Sequence, residues 1–157
     1  MEPRQYIPMT RDFYSDFTPY RWSENASAPW APLVKPIAAS RVALIGSGGI
    51  YCRGQEPFHY GRDDMSFREI PLGTAAGDLM LNHYAYNKTA ARADVNVVYP
   101  LENLRTLEQE GVIGRLVLAL TFMGALFKRS TAVNELFPRM VERVQAAQPD
   151  LAFLVPV

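Results

Sequence analysis

The sequence predicts an α/β fold: a doubly wound, mostly parallel sheet, incomplete at its C-terminal end, behind an extended N-terminal arm rich in proline and aromatic residues. Three observations predict it. Short, nearly unbroken apolar runs occur at 42–45, 116–120 and 151–155, the pattern of strands buried on both faces. Apolar residues at helical spacing occupy 100–110 and 131–147, just ahead of the second and third runs. The resulting order, strand, helix, strand, helix, strand, is that of a sheet whose helices cross over between parallel neighbours. At 157 residues the chain has room for one domain with a proper core. The arm takes 1–40 and the α/β domain 41–157.

Composition excludes several classes. A formal net charge of zero argues against broad electrostatic attachment to nucleic acid or to an anionic membrane. The single cysteine, Cys52, rules out a disulfide within the chain and suits a reducing, intracellular setting. The first residues lack the apolar core of a secretory signal, and the longest uncharged run, 116–127, is too short to span a bilayer. A soluble, cytoplasmic protein is expected. The glycosylation-type triplets at Asn25 and Asn87 are then chance matches.

In the arm, Tyr14, Phe17, Tyr20, Trp22 and Trp30 alternate with Pro19, Pro29, Pro32 and Pro36, with no sustained period. Such a segment lays aromatic side chains on a surface, either as a strap over its own domain or as a partner-docking arm. The run 42–45 ends in Gly46-Ser47-Gly48-Gly49. A strand followed by glycines invites a nucleotide reading, but 50–58 contains Gly54 and Pro57 and shows no helical period, so no helix N-terminus waits to receive a phosphate. A tight turn lining a crevice at a strand's C-terminal end fits better. Residues 51–75 read as a long loop carrying His59, Arg62, Asp63, Asp64, Arg68 and Glu69, with an extended piece at 66–70, and 79–82 as another short strand. Pro100 at the first helical position, Glu102 in the first turn and Gly111 as stop bound the clearest helix. Pro138 either kinks the next helix or starts it, and its chemistry suits a first turn.

The chain resembles the selenoprotein B family of the glycine, sarcosine, betaine and D-proline reductases. The likeness rests on Arg-Val-Ala-Leu-Ile-Gly-Ser-Gly-Gly-Ile at 41–50, Asp-Met-Ser-Phe-Arg-Glu-Ile-Pro at 64–71 and Asp-Val-Asn-Val-Val-Tyr-Pro-Leu-Glu-Asn-Leu-Arg at 94–105. It continues with Glu-Gly-Val-Ile-Gly at 110–114 and Phe-Met-Gly at 122–124, and runs from about residue 30 to the last strand. Asn87 departs from the aspartate common in the family, and Cys52 falls where no family cysteine is expected. The resemblance implies reductive cleavage of a C–N bond in a small amino acid or amine, with a dithiol as electron donor. It places the family's selenocysteine, or a cysteine in its stead, directly beyond Val157, with a further cysteine and a histidine close behind. It also implies a partner subunit carrying a pyruvoyl group. A gene read without allowance for the selenocysteine codon would stop one residue before it, about where Val157 stands. An apolar sheet ending at a central strand predicts a poorly soluble or oligomeric chain.

The reactive chalcogen is thus expected outside these 157 residues, which alone would be inactive. Cys52 reads as an inert small side chain. No ligand pair sits at helical spacing around His59 or His83, so no metal is expected. The substrate-binding candidates are Ser47, Gly48, Gly49, Ser66, Arg68 and His83. His83 is a proton donor, a substrate hydrogen-bonding group or a histidine bonded within its loop. Arg68 grips a substrate carboxylate or fixes its loop through Asp63 or Asp64. Asp94 and Asn96 suffice as turn and cap residues. The alternative to an enzyme subunit is a non-catalytic α/β binding or assembly subunit derived from the same scaffold.

Overall fold

The computed structural model describes residues 6–13, 15–16, 26–27, 30–61 and 63–157. Two compact units divide the chain, Met1–Pro32 and Leu33–Val157. The first holds helix α1, Tyr6–Phe13, which its proline-rich surroundings do not predict. Tyr14, Phe17, Tyr20, Trp22, Pro19 and Pro29 of the expected arm, and Arg62 of the expected loop, lie outside the described residues.

The second unit runs β1 (Arg41–Gly46), β2 (Ile50–Cys52), β3 (Phe67–Glu69), β4 (Leu79–Leu81), α2 (Thr89–Ala93), α3 (Leu101–Gln109), β5 (Arg115–Phe122), α4 (Arg129–Thr131), a π-helical turn at Ala132–Leu136, α5 (Phe137–Ala147) and β6 (Leu151–Val155). The main sheet has the order β3–β5–β1–β6. β1 pairs in parallel with both β5 and β6, while β3 is antiparallel to β5. The expectation of a mostly parallel α/β sheet therefore holds, with an antiparallel edge strand that the sequence does not announce. β2 and β4 pair with each other in a separate two-stranded ribbon.

Alternation along β1 and β5 feeds two apolar clusters. Val42, Leu44, Leu116 and Ala119 join Leu101 and Leu104 of α3, together with Tyr99 and Ile70. Ala43, Leu118 and Leu120 join Leu136 and Met140 of the α4–α5 segment. The Tyr99 hydroxyl donates to the Leu120 carbonyl 3.2 Å away, satisfying the one polar atom of a fully buried ring.

Local chemistry explains the element ends. Pro100 stands at the N-cap of α3, one place before the expected first helical position, and Gly111 at φ +71° stops the helix. Pro138 does lie in the first turn of α5, but the helical path begins upstream at Arg129. The π-helical turn ends at Leu136, two residues before the proline, which has no N–H to donate. At the other end of α5, Arg41 donates from Nε to the Gln148 carbonyl and from Nη2 to that of Ala147. Its charge thereby caps the negative end of the helix. Asp150 accepts from the Arg41 backbone N–H at 2.8 Å and from Lys35 Nζ at 2.8 Å, fixing the register of β6 on β1. Those bonds, the backbone one first, hold the Asp150 carboxyl below its usual range.

The sequence predicts a buried strand at 151–157. The sequence also predicts that this strand's far side is left unpaired, and among the described residues β6 does stand at the sheet's edge, with Phe153 46% and Leu154 65% exposed rather than buried. Leu151 and Val155 face the α3 side with only moderate cover. An apolar run specifies what a strand can be packed against. Here β1 supplies one edge, and among the described residues nothing else pairs with it.

The central and edge strands should respond differently to truncation. Leu44→Ala in β1 is expected to cost about 2–5 kcal/mol in urea unfolding. Leu154→Ser in β6 should change it by no more than about 0.5 kcal/mol. Equal losses would contradict the edge assignment.

Candidate functional site

The C-terminal ends of β1 and β6 meet at one residue. The Ser47 N–H donates to the Val155 carbonyl at 3.1 Å, and its carbonyl accepts from the Gly124 N–H at 2.8 Å. Its Oγ accepts from the Val157 N–H at 2.9 Å. One serine thus ties together the ends of β1, β6 and the segment after β5. Gly49 then turns the chain at φ +70°. A side chain there would collide with the Asn82 carbonyl, whose residue also donates its N–H to the Gly49 carbonyl at 3.0 Å. This close approach brings the segment after β4 against the glycine turn.

That segment carries His83, Tyr84, Tyr86 and Lys88. The Tyr86 hydroxyl donates to the Gly48 carbonyl at 3.0 Å. Burial pushes its own pKa up to about 12, so it remains a neutral donor. The ring centroids of His83 and Tyr86 are 4.7 Å apart. His83 is 2% exposed. Its Nδ1 accepts from the Ala85 N–H at 3.1 Å. A nitrogen that accepts holds a lone pair, so the proton of the neutral ring belongs on Nε2. Nε2 is buried and has no hydrogen-bond partner among the described residues, as is also true of the Tyr84 hydroxyl. Burial first, and then the Lys88 ammonium, which donates to the His83 carbonyl at 2.5 Å, lower the His83 pKa. The result is a neutral imidazole whose buried Nε2–H has no partner among the described residues, on a residue whose Cβ packs close to Gly49.

The structure therefore gathers Ser47, Gly48, Gly49 and His83 in one place. Ser66 and Arg68 form a second constellation. Arg68 donates from Nε to the Glu56 carbonyl at 2.9 Å and from Nη1 to Ser66 Oγ at 2.8 Å, and its guanidinium lies 4.4 Å above the Phe58 ring. These contacts belong to the loop-fixing reading, although no ion pair joins Arg68 to Asp63 or Asp64. Asp64 instead holds the loop from below, accepting from the Ser66 hydroxyl and from the His59 N–H at 2.6 Å. Burial raises the Asp64 pKa, but those bonds and the Arg68 charge outweigh it, and the net shift is downward. Asp63, at φ +65°, accepts from the Phe127 and Lys128 backbone N–H groups at 2.6 and 2.8 Å, stapling the loop to the segment after β5. Cys52 is half-buried on β2, with Sγ 3.6 Å from Thr74 Oγ1. Among the described residues, no three His, Cys, Asp or Glu side chains gather as metal ligands do. No helix among them is long and apolar enough to cross a membrane.

Tyr86, Lys88 and Asn82 are part of the site and absent from the sequence-derived candidates. Tyr86 is visible in the aromatic run 83–87, but nothing in the sequence says that its hydroxyl reaches Gly48.

Comparison with known proteins adds the following. Residues 12–137 match the family model described as glycine/sarcosine/betaine reductase selenoprotein B. D-proline reductase subunit gamma of Acetoanaerobium sticklandii is 28% identical over 126 residues, 80% of this chain and 52% of that protein. Glycine reductase complex component B subunit gamma of Symbiobacterium thermophilum is 32% identical over 63% of this chain and 24% of its own length. Sarcosine reductase complex component B subunit beta of Peptoclostridium acidaminophilum is 33% identical over 56% of this chain and 21% of its own. The chain spans about half the length of the first of these relatives and a smaller share of the other two. No solved structure matches it.

The lowered His83 pKa has a testable sign. Below the ordinary imidazole value of 6.5 the unfolded chain takes up a proton that the folded ring resists, so this histidine's stabilisation is intact above that pH and is lost as pH falls. Urea midpoints should therefore drop from about pH 7 to about pH 5 in the wild-type chain, and less in His83→Gln. In nitrogen-15 NMR at neutral pH, Nε2 should carry the proton. A ring protonated on Nδ1 would refute the assignment.

Proposed function

From the premise that the chain belongs to the glycine/sarcosine/betaine reductase selenoprotein B family, we propose that it is the scaffold portion of a subunit of a dithiol-dependent reductase acting on a small amino acid or amine. The observation that carries this reading is the family match across most of the chain, together with relatives that are themselves subunits of D-proline, glycine and sarcosine reductases. In the reaction a C–N bond breaks, the carbon and nitrogen each gain a hydrogen, and two thiols give up two electrons and two protons to become a disulfide.

The reading locates the crevice at the C-terminal mouth of β1 and β6, where α/β sheets gather their ligands. The Ser47–Gly49 turn forms its floor and the His83 Nε2–H is a donor at its wall. Ser66 and Arg68 shape the neighbouring loop. A selenocysteine or cysteine following Val157 would enter beside Ser47, which already accepts the Val157 N–H. His83 would then stabilise a developing anion by donation, since a neutral imidazole with a lowered pKa is a poor source of full charge. In the same reading, a further strand pairs with β6 and completes a doubly wound sheet over Phe153 and Leu154. The partner subunit with its pyruvoyl group and the cytoplasmic setting also belong to this proposal.

Dithiol oxidation measured with D-proline, glycine, sarcosine and betaine tests the reading. The 157-residue chain is expected to show no turnover. A chain translated through the codons after Val157, combined with its partner subunit, is expected to turn over one of these substrates. An ordinary stop with no cysteine or histidine encoded downstream, or turnover by the short chain alone, would overturn the placement of the chemistry.

A further inference from the structure

The segment 83–88, between β4 and α2, is held to the rest of its unit by little more than side chains. Among the described residues, no backbone N–H or carbonyl of 83–87 bonds to another backbone group. Its two ends are well anchored. The Asn82 N–H donates to the Gly49 carbonyl at 3.0 Å and its Nδ2 to that of Phe58 at 2.5 Å. At the other end the Lys88 carbonyl accepts from the Arg92 N–H of α2 at 2.9 Å. Between these anchors most bonds stay local: Ala85 N–H to His83 Nδ1, Lys88 Nζ to the His83 carbonyl, and Thr89 N–H to Asn87 Oδ1. Only the Tyr86 hydroxyl reaches out of the segment, to the Gly48 carbonyl at 3.0 Å.

The same segment buries two polar groups that have no partner among the described residues, His83 Nε2 and the Tyr84 hydroxyl. Their rings stack with centroids 6.0 Å apart. Each group left without water or a partner carries a cost that works against the segment's own packing. Opening would hydrate both. Closure also bears on the mouth. A Cβ on Gly48 would lie 3.6 Å from the Tyr86 hydroxyl and 3.5 Å from Val157 Cγ2, so the tyrosine and the valine crowd one glycine.

We infer that residues 83–88 are a lid, hinged at Asn82 and at the start of α2 and latched shut by the Tyr86 hydroxyl on Gly48. Opening breaks that one bond, withdraws Tyr86 from Gly48, and exposes His83 Nε2 and the Tyr84 hydroxyl at the mouth. The closed form is autoinhibited, because a donor on a residue 2% exposed serves no ligand until the segment moves. Few backbone bonds, with Ala85 and Asn87 exposed, place the segment at the low-stability end of the fold, from which lids are drawn. That the uncovered donor serves a reductase rests on the proposed function; the motion itself rests only on these contacts. In that reading the chain beyond Val157 favours the open form, because it needs the space that Tyr86 holds.

Amide hydrogen exchange of the 157-residue chain, read residue by residue by NMR, tests the lid with Tyr86→Phe. That variant keeps the ring against His83 and removes only the latch. The Ala85 amide, bonded to His83 Nδ1, should exchange about three- to ten-fold faster in the variant, the effect of one lost hydrogen bond. The Asn82 and Arg92 amides, at the hinges, should be unchanged. Diethyl pyrocarbonate, which acylates neutral imidazole, supplies a second readout. Its rate at His83 should rise by a similar factor, with the exposed His59 as internal reference. Unchanged exchange at Ala85, or equal acceleration at Ala85, Asn82 and Arg92, would overturn the lid. Faster Ala85 exchange with His83 still modified at the wild-type rate would overturn the claim that opening uncovers the histidine. Neither readout uses turnover, so the lid can fail while the reductase reading stands, and the reverse.

Discussion

The unit from Leu33 to Val157 depends on how three chain segments end at Ser47. A parallel sheet leaves its strand termini without partners unless the loops that follow supply them. Ser47 uses its N–H, its carbonyl and its hydroxyl on Val155, Gly124 and Val157 respectively, so the ends of β1 and β6 and the segment after β5 share a single residue's polar groups. Gly124 can come this close only because it has no side chain; a Cβ there would lie 2.9 Å from that of Ser47. The turn at Gly49 then follows from the same crowding, and Asn82 and His83 are drawn in against it.

This arrangement separates the two constellations that the sequence presents as one list. The glycine turn and His83 meet at the end of the parallel strands. Ser66 and Arg68 are committed to the loop ahead of β3, where backbone carbonyls and the Phe58 ring occupy the guanidinium. The end of β3 is held to α5 by the Arg143–Glu69 pair, with both contacts at 2.6 Å. That pair is surface-exposed and contributes no more than about 1 kcal/mol, so packing of Phe67 and Met65 against the α5 cluster carries most of the attachment. Arg68 and His83 thus answer to different forces: one is satisfied by its surroundings, the other keeps an unspent donor.

What was legible in the sequence is what is encoded locally. The apolar runs of β1 and β5, the Pro100 and Gly111 signals around α3, and the Asp94 cap on the Asn96 N–H all lie within a few residues of their causes. The family likeness was also legible, because it rests on short motifs in fixed order. The pairing of β2 with β4 was not, since each is three residues long and acquires meaning only from the other. Nor was the upstream start of the last helix, where a π-helical turn absorbs the missing Pro138 donor. The exposure of Phe153 and Leu154 in β6 has a related cause: Leu-Ala-Phe-Leu-Val states a preference for burial but not whether anything satisfies it. At the site, the glycine turn and His83 could be singled out by residue type. Their convergence with Val157, 110 residues from Ser47, is a property of the fold alone.

Under the proposed function, the chemistry of this family would enter at the Ser47 junction, within reach of the His83 donor. The most direct measurement is a crystal structure of the chain translated beyond Val157, with the first selenium or sulfur after that residue located by anomalous scattering. That atom is expected beside Ser47, in hydrogen-bonding reach of His83 Nε2. A chalcogen at the opposite end of the sheet, or one separated from His83 by packed side chains, would contradict it.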